Sequence, residues 1–103
     1  MRKRNYKQEY LALRKNAHKK GIKVRENWHN DIWRGMNPKA GRSLNVRCPK
    51  KTVLLSTSED TYKEKAETTR HELVELKLMN KGLKYRKAHK IAMRKEDDRI
   101  LII

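Results

Sequence analysis

Two segments near the C-terminal end place His and Glu residues at helical spacing, and this pattern constrains the fold most strongly. His71 and Glu75 are four residues apart, and His89 and Glu96 are seven apart. Residues at these separations lie on one face of an α-helix. Gly82 lies in the short connection between the segments, as is typical where two antiparallel helices join. The pattern predicts an αα-hairpin whose facing sides carry two imidazoles and two carboxylates.

The hairpin is expected to comprise a helix from about Glu59 to Asn80, with Ser58 as its N-cap, and a second helix from about Lys84 to Asp97. The stripe of the second helix that carries His89 and Glu96 also contains three of its apolar and aromatic side chains, whereas Ile91 lies on another side. The three are Tyr85, Ala92 and Met93. The stripe is therefore expected to face the core.

The rest of the chain shows shorter and weaker patterns. Residues 5–20 have an apolar stripe at helical spacing, and residues 26–34 read as one or two helical turns. Residues 35–43 contain two Gly and one Pro and read as a loop. Residues 44–48 and 52–56 read as two strands that pair as a short β-hairpin. The predicted fold class is a small, mostly helical α+β domain with a C-terminal αα-hairpin and a basic N-terminal helical arm.

Positive charge is concentrated in the N-terminal half of the chain. Residues 1–51 contain 16 Lys and Arg against 3 Asp and Glu, whereas residues 52–103 contain 12 against 9. A cationic block of this size needs counter-charge, and nucleic-acid phosphate is its commonest source. We therefore expect a basic arm over residues 1–43, a domain over residues 44–103, and nonspecific binding of RNA or DNA. The predicted contacts are Arg2, Lys3, Arg4, Lys7, Arg14, Lys15, Lys19, Lys20, Lys23 and Arg25.

Cysteine content and hydropathy indicate the cellular compartment in which the protein is expected to function. Cys48 is the only cysteine, which excludes an intrachain disulfide and favours a reducing, cytoplasmic setting. No apolar stretch of a signal peptide follows the charged N-terminus. The longest apolar run, Ile100–Ile103, is far too short to cross a bilayer, so no membrane association is expected. This run is instead expected to contact a protein partner or a second copy of the chain.

His71, Glu75, His89 and Glu96 are candidate ligands of a divalent metal ion. Packing the two helices together brings these groups into one small volume, where carboxylates without a partner are costly to bury. One divalent ion would satisfy all four groups, and Zn²⁺ commonly takes two His and one carboxylate. Glu72 lies about 100° round the helix from His71, where it would accept a proton from the attacking water.

Residues 52–97 resemble the active-site helices of zincin-type metallopeptidases, in the short His-Glu-x-x-Glu form of small phage and prophage proteins. The resemblance implies that His71, Glu75 and His89 bind zinc and that Glu72 is the base of a hydrolase. The chain departs from the main zincin pattern at Glu75, where that pattern has a second His. The matching pieces are Val53-Leu54-Leu55, His71 to Glu75, and Gly82 with Tyr85, Ala88, His89 and Ala92.

Three functions are compatible with these patterns. The first is a metal-binding, zincin-like protein with a nucleic-acid-binding arm, acting as a zinc-dependent hydrolase or derived from one. The second is a non-enzymatic basic component of a nucleoprotein particle, such as a ribosome-associated, nucleoid or virion protein, in which the His and Glu residues pair with one another. The third is a metal-dependent nuclease. Metal content separates the second function from the other two.

Overall fold

The computed structural model describes residues 4–96, which form four helices and a three-stranded sheet. The predicted small α+β fold with a C-terminal helical hairpin is confirmed. In chain order the elements are α1 (Tyr6–Lys19), β1 (Lys23–Trp28), β2 (Gly35–Met36), α2 (Pro38–Leu44), β3 (Thr52–Ser56), α3 (Tyr62–Asn80) and α4 (Tyr85–Lys95). None of these helices combines the length and the apolar character that crossing a bilayer requires.

Helix α3 begins three residues later than predicted, because Thr61 rather than Ser58 is its N-cap. The Thr61 hydroxyl accepts a hydrogen bond from the Glu64 amide at 3.1 Å, and the Glu64 carboxylate accepts one from the Thr61 amide at 3.0 Å. This reciprocal capping box satisfies two amides that a helix start otherwise leaves unpaired. Glu59, predicted in the first helical turn, is instead buried ahead of the helix, where it accepts hydrogen bonds from Arg34 and Thr68.

Helix α3 is central and has α1 and α4 as its main helical neighbours. Helix α1 forms as predicted, and its buried side is part of the main hydrophobic core. The residues of this core come from α1, β1, β3 and α3, and are Tyr10, Leu13, Ala17, Val24, Val53, Leu55, Ala66 and Leu73. The core therefore joins residues from both sides of the boundary at residue 44 that the charge distribution suggested.

The strand pairing differs from the predicted hairpin. Strand β3 is the middle strand, parallel to β1 and antiparallel to β2. The predicted strand over residues 44–48 is wrong: Leu44 is the last residue of α2, and the segment after it has no strand structure. In its place, two strands from earlier in the chain, β1 and β2, pair with β3.

Residues 26–34 do not form the predicted helical turns. Their first part belongs to β1, because hydrogen bonding to the buried strand β3 outweighs the helical spacing of Trp28 and Ile32. Trp28 and Trp33 are half-buried and pack against a second hydrophobic cluster that contains Met36 and Leu54. Ile32 is 79% exposed.

Candidate metal centre

Donor atoms of His71, Glu75 and His89 converge between α3 and α4. The Nε2 atom of His71 lies 3.0 Å from Oε2 of Glu75 and 3.1 Å from Nδ1 of His89. The same Nδ1 atom of His89 lies 2.8 Å from Oε2 of Glu75. The helices approach closely here because α4 presents Ala88 and Ala92, both fully buried, to its neighbours. Three of the four predicted ligands thus form one cluster, as the helical spacing indicated.

Glu96 occupies a different position from the predicted one. Its Oε2 atom lies 2.8 Å from Nδ1 of His71, the ring nitrogen that does not face Glu75 and His89. A carboxylate there accepts a hydrogen bond from Nδ1–H and leaves the lone pair of Nε2 directed at the cluster. Metal-binding histidines commonly have such a partner on their second nitrogen. In this geometry Glu96 is placed to orient the ring of His71 and is not one of the three donors that converge.

Asn37 links the carboxylates to helix α2, and sequence analysis missed it. As the N-cap of α2, it accepts a hydrogen bond from the Ala40 amide at 2.9 Å through Oδ1. Its Nδ2 group donates to Oε1 of Glu72 at 2.9 Å and to Oε1 of Glu75 at 3.1 Å. The loop predicted over residues 35–43 is therefore wrong: most of that segment belongs to β2 and α2, and the Asn37-Pro38 pair is a helix-start signal, since Pro suits the first turn.

Glu72 is buried beside the cluster without joining it. Its Oε2 atom lies 3.9 Å from Nε2 of His71. Burial, and then the negative charge of Glu75, raise the pKa of the Glu72 carboxyl to about 8, although the His71 imidazole opposes the shift. A carboxyl group that titrates near neutral pH is suited to accept and return a proton during a reaction.

The pKa of His71 is also shifted. Burial lowers it, but hydrogen bonds with Glu75 and Glu96 outweigh the burial and raise the pKa to about 10. Without a metal ion, the ring is therefore cationic at neutral pH and pairs with its two carboxylate neighbours. A metal ion would have to displace the proton on Nε2, because only the deprotonated nitrogen binds metal.

A cavity of about 350 Å³ opens onto the cluster. Much of its wall is apolar or aromatic and is formed by Ile32, Trp33, Met36, Leu44 and Met93. Tyr85 also lines it and stacks on the ring of His89, with ring centroids 5.2 Å apart. Arg34, half exposed, is held at the cavity by an ion pair with Glu59 at 3.0 Å. A mostly apolar cavity with a few converging polar groups is typical of a small-molecule or side-chain site.

The predicted nucleic-acid contacts lie apart from the cluster. Arg2 and Lys3 lie outside the described residues, as do Asp97 and Ile100–Ile103, and the remaining contacts belong to α1, β1 or the segments that adjoin them. Leu73 packs in the core with α1, yet it is only two residues from His71, which faces α4. Two residues correspond to about 200° round a helix. Helix α3 therefore stands between the basic helix and the His–Glu cluster.

The donor set fits a zinc-like ion. Two imidazole nitrogens and one carboxylate oxygen are a common zinc set that leaves a further position open. No protein-family model matches the chain, and comparison with curated proteins and with solved structures also gives no match. The functional argument therefore depends on the geometry of the described residues.

Proposed function

We propose that the protein is a metal-dependent hydrolase that holds Zn²⁺ or another divalent ion with His71, Glu75 and His89. One observation carries the proposal: three donor atoms from two helices meet at 2.8–3.1 Å beside a cavity. A bound ion of this kind would polarise the bond to be cleaved and lower the pKa of water.

The chain's own residues supply the proton transfer and the alignment. Glu72 would accept a proton from the attacking water and return it to the leaving group, a role favoured by its raised pKa. Asn37 holds Glu72 and Glu75 through one amide group, and Glu96 fixes the ring of His71. These contacts hold the reacting groups in position, so the groups need not move during the reaction. Such preorganisation accounts for much of an enzyme's rate acceleration.

The cavity favours peptides over nucleic acid as substrates. Its apolar wall would accept an apolar side chain next to the bond that is cleaved. The basic helix α1 lies across α3 from the cluster, so its cations are poorly placed to hold a phosphodiester there. Arg34 is the one Lys or Arg side chain among the described lining residues and would bind a single substrate anion.

Metal analysis tests the proposal. Protein purified without chelator should contain about one equivalent of zinc, manganese or iron, measured by elemental analysis, and His71→Ala should lose it. Glu72→Gln should retain the metal and abolish cleavage of fluorogenic peptides that carry apolar residues. Glu67→Gln, on the same helix but outside the cluster, is the matched control and should keep both the metal and the cleavage activity. Activity that survives in Glu72→Gln would remove Glu72 as the base.

A second candidate is a non-enzymatic basic protein of a nucleoprotein particle. It is favoured by the pKa of His71, since a cationic ring between two carboxylates satisfies the cluster without metal. In that case the wild-type protein and His71→Ala would contain equally little metal, and His71→Ala would lose stability only.

We also propose that the N-terminal part of the chain binds nucleic acid nonspecifically. The support is its charge: the segment up to residue 51 has 16 basic and 3 acidic side chains. Binding driven by phosphate contacts weakens steeply as salt is added. An affinity for single-stranded or duplex DNA that stays constant between low and physiological salt would contradict this proposal.

A further inference from the structure

The beginnings of α1 and α3 bring two tyrosines and four cations to one surface. The ring centroid of Tyr6 lies 4.8 Å from the Arg4 guanidinium and 6.0 Å from Nζ of Lys63. The ring centroid of Tyr62 lies 5.7 Å from Nζ of Lys7 and 5.4 Å from Nζ of Lys65. Each ring therefore has one cation from the N-terminal segment and one from α3. We call these six residues the tyrosine–cation patch.

The aromatic rings of the patch are accessible and firmly supported. Tyr62, the first residue of α3, is 43% exposed, and Tyr6 is half-buried. Tyr10 lies beneath them, almost fully buried, with its ring centroid 6.1 Å from that of Tyr62. An exposed ring on a rigid, packed base is suited to stacking on another flat group.

The acidic residues near the patch are already paired. Glu9 accepts hydrogen bonds from Arg4 at 2.7 Å and from Arg70 at 3.1 Å. Glu26 forms ion pairs with Arg14 at 3.0 Å and with Lys65 at 2.8 Å. Cations thus outnumber acids, and an excess of positive charge is left for a ligand.

Two further acids flank Tyr62 at the helix start: Asp60, just before the N-cap, and Glu64, in the first turn. The Glu64 carboxylate accepts hydrogen bonds from the amides of Asp60 and Thr61. These amides and the nearby Arg34 also lower the pKa of Glu64. Asp60 and Glu64 therefore compensate the helix terminus, where acidic groups are favourable, and leave the excess charge of the patch largely intact.

We propose that the tyrosine–cation patch binds single-stranded nucleic acid, with a base stacked on Tyr62 and phosphates on Lys7 and Lys63. This inference rests on the nucleic-acid binding proposed above and names its location and its ligand. Stacking requires an unpaired base, which a duplex does not present. The lysine stems are flexible, so their ammonium groups can move from the ring to a phosphate when a base takes the ring face.

The patch is remote from the cavity. Tyr62 and His71 are nine residues apart in α3, and this separation places them about 180° apart round the helix. A strand bound at Tyr62 therefore leaves the His–Glu cluster open. The patch would tether the protein to nucleic acid while the cavity acts on another molecule.

Fluorescence anisotropy with a labelled oligothymidylate of twelve nucleotides tests the inference. Tyr62→Ala should weaken binding about tenfold, the loss expected for one stacked base, whereas Tyr62→Phe should bind like the wild type. Lys63→Ala should weaken binding and reduce the salt slope by about one. Lys87→Ala removes the same charge from an exposed position of α4, outside both the patch and residues 1–51, and is the matched control. Tyr62→Leu, which keeps an apolar contact on Tyr10, checks that a loss in Tyr62→Ala is not due to unfolding.

These measurements distinguish a failure of the patch from a failure of nucleic-acid binding as a whole. If Tyr62→Ala and Lys63→Ala bind like Lys87→Ala, or if duplex of the same length binds more tightly than single strand, the patch is not the site, although nucleic-acid binding stands. If the wild-type protein binds neither form at low salt, nucleic-acid binding itself fails. Equal affinity for anionic lipid vesicles and for the oligonucleotide would also overturn the inference.

Discussion

Arg70 donates a hydrogen bond to the backbone oxygen of Glu96 at 2.7 Å and so ties α3 to the end of α4. The Arg70 side chain is almost fully buried, and its other terminal nitrogen donates to Glu9 of α1 at 3.1 Å. Because the Glu96 carboxylate holds Nδ1 of His71, this one guanidinium helps to fix the position of the His–Glu cluster.

Glu96→Ala should lower metal affinity about 10- to 100-fold, as loss of a carboxylate behind a metal-binding histidine commonly does. Competition with a chromogenic chelator measures the change. Glu67→Ala, which removes an acid elsewhere on α3, should leave the affinity unaltered. A loss in Glu96→Ala as large as that in His89→Ala would show that Glu96 binds the ion directly.

The metal-free protein should lose stability as the pH rises. The pKa of His71 is raised from 6.5 to about 10, so its stabilising contribution is complete below pH 6.5 and disappears as the pH rises through 10. The pKa of Glu72 is raised from 4.5 to about 8, so its contribution is lost over that interval as well. Urea unfolding with chelator present, followed from pH 6 to 10, measures this fall in the free energy of unfolding. His71→Gln should make the fall smaller at the high-pH end of this range.

Metal binding should have the opposite dependence on pH. A proton on Nε2 of His71 competes with the ion, so affinity should rise with pH and uptake should release protons. Calorimetry in two buffers with different ionisation enthalpies counts the released protons. Uptake without proton release would indicate that His71 is neutral before the metal arrives.

Asn37→Ala should destabilise the fold more than Asn5→Ala. Both residues are helix N-caps, and the loss of such a cap costs about 1 kcal/mol. Asn37 is also buried and donates to Glu72 and Glu75, so its removal should add about 1–3 kcal/mol. Chemical denaturation of the two variants measures the difference, and equal losses would mean that the carboxylates do not need this donor.

Gly35→Ala should destabilise the protein by about 1–3 kcal/mol, because a side chain there overpacks the core. An added Cβ atom would lie 2.6 Å from Cγ2 of Thr68, 3.0 Å from the backbone oxygen of Leu54 and 3.2 Å from Cγ of Glu72. Thr68→Ser removes the nearest of these atoms and retains the hydroxyl, so the double variant should recover part of the loss. No recovery in thermal unfolding would locate the main clash at the Leu54 backbone.

Helices α1, α3 and α4 and the His–Glu cluster were predictable because they depend on local spacing. His71 and Glu75 share a face whatever surrounds them, and Gly82 indicates where the hairpin turns. The three-residue error at the start of α3 was avoidable, since Thr61 and Glu64 have the spacing of a capping box.

The sheet and the hydrogen bonds that hold the His–Glu cluster in position were not predictable in the same way. Strand β3 pairs with residues far earlier in the chain, and no local pattern in Lys23–Trp28 specifies a parallel partner. Asn37 lies 35 residues from Glu72, and Arg70 lies 61 from Glu9. Such contacts arise from tertiary packing, which overrides the weak propensities of short segments.

The hydrogen bond between Arg70 and Glu9 has a consequence for any shortened form of the protein. The basic N-terminal helix could be taken for a removable tag, but it shares an arginine with the end of α4. A chain that begins after Lys20 would leave that guanidinium short of a carboxylate and expose the core face of α3. Proteolysis that releases α1 would therefore disturb the His–Glu cluster and also remove much of the basic segment, so the proposed metal binding and the proposed nucleic-acid binding should be lost together.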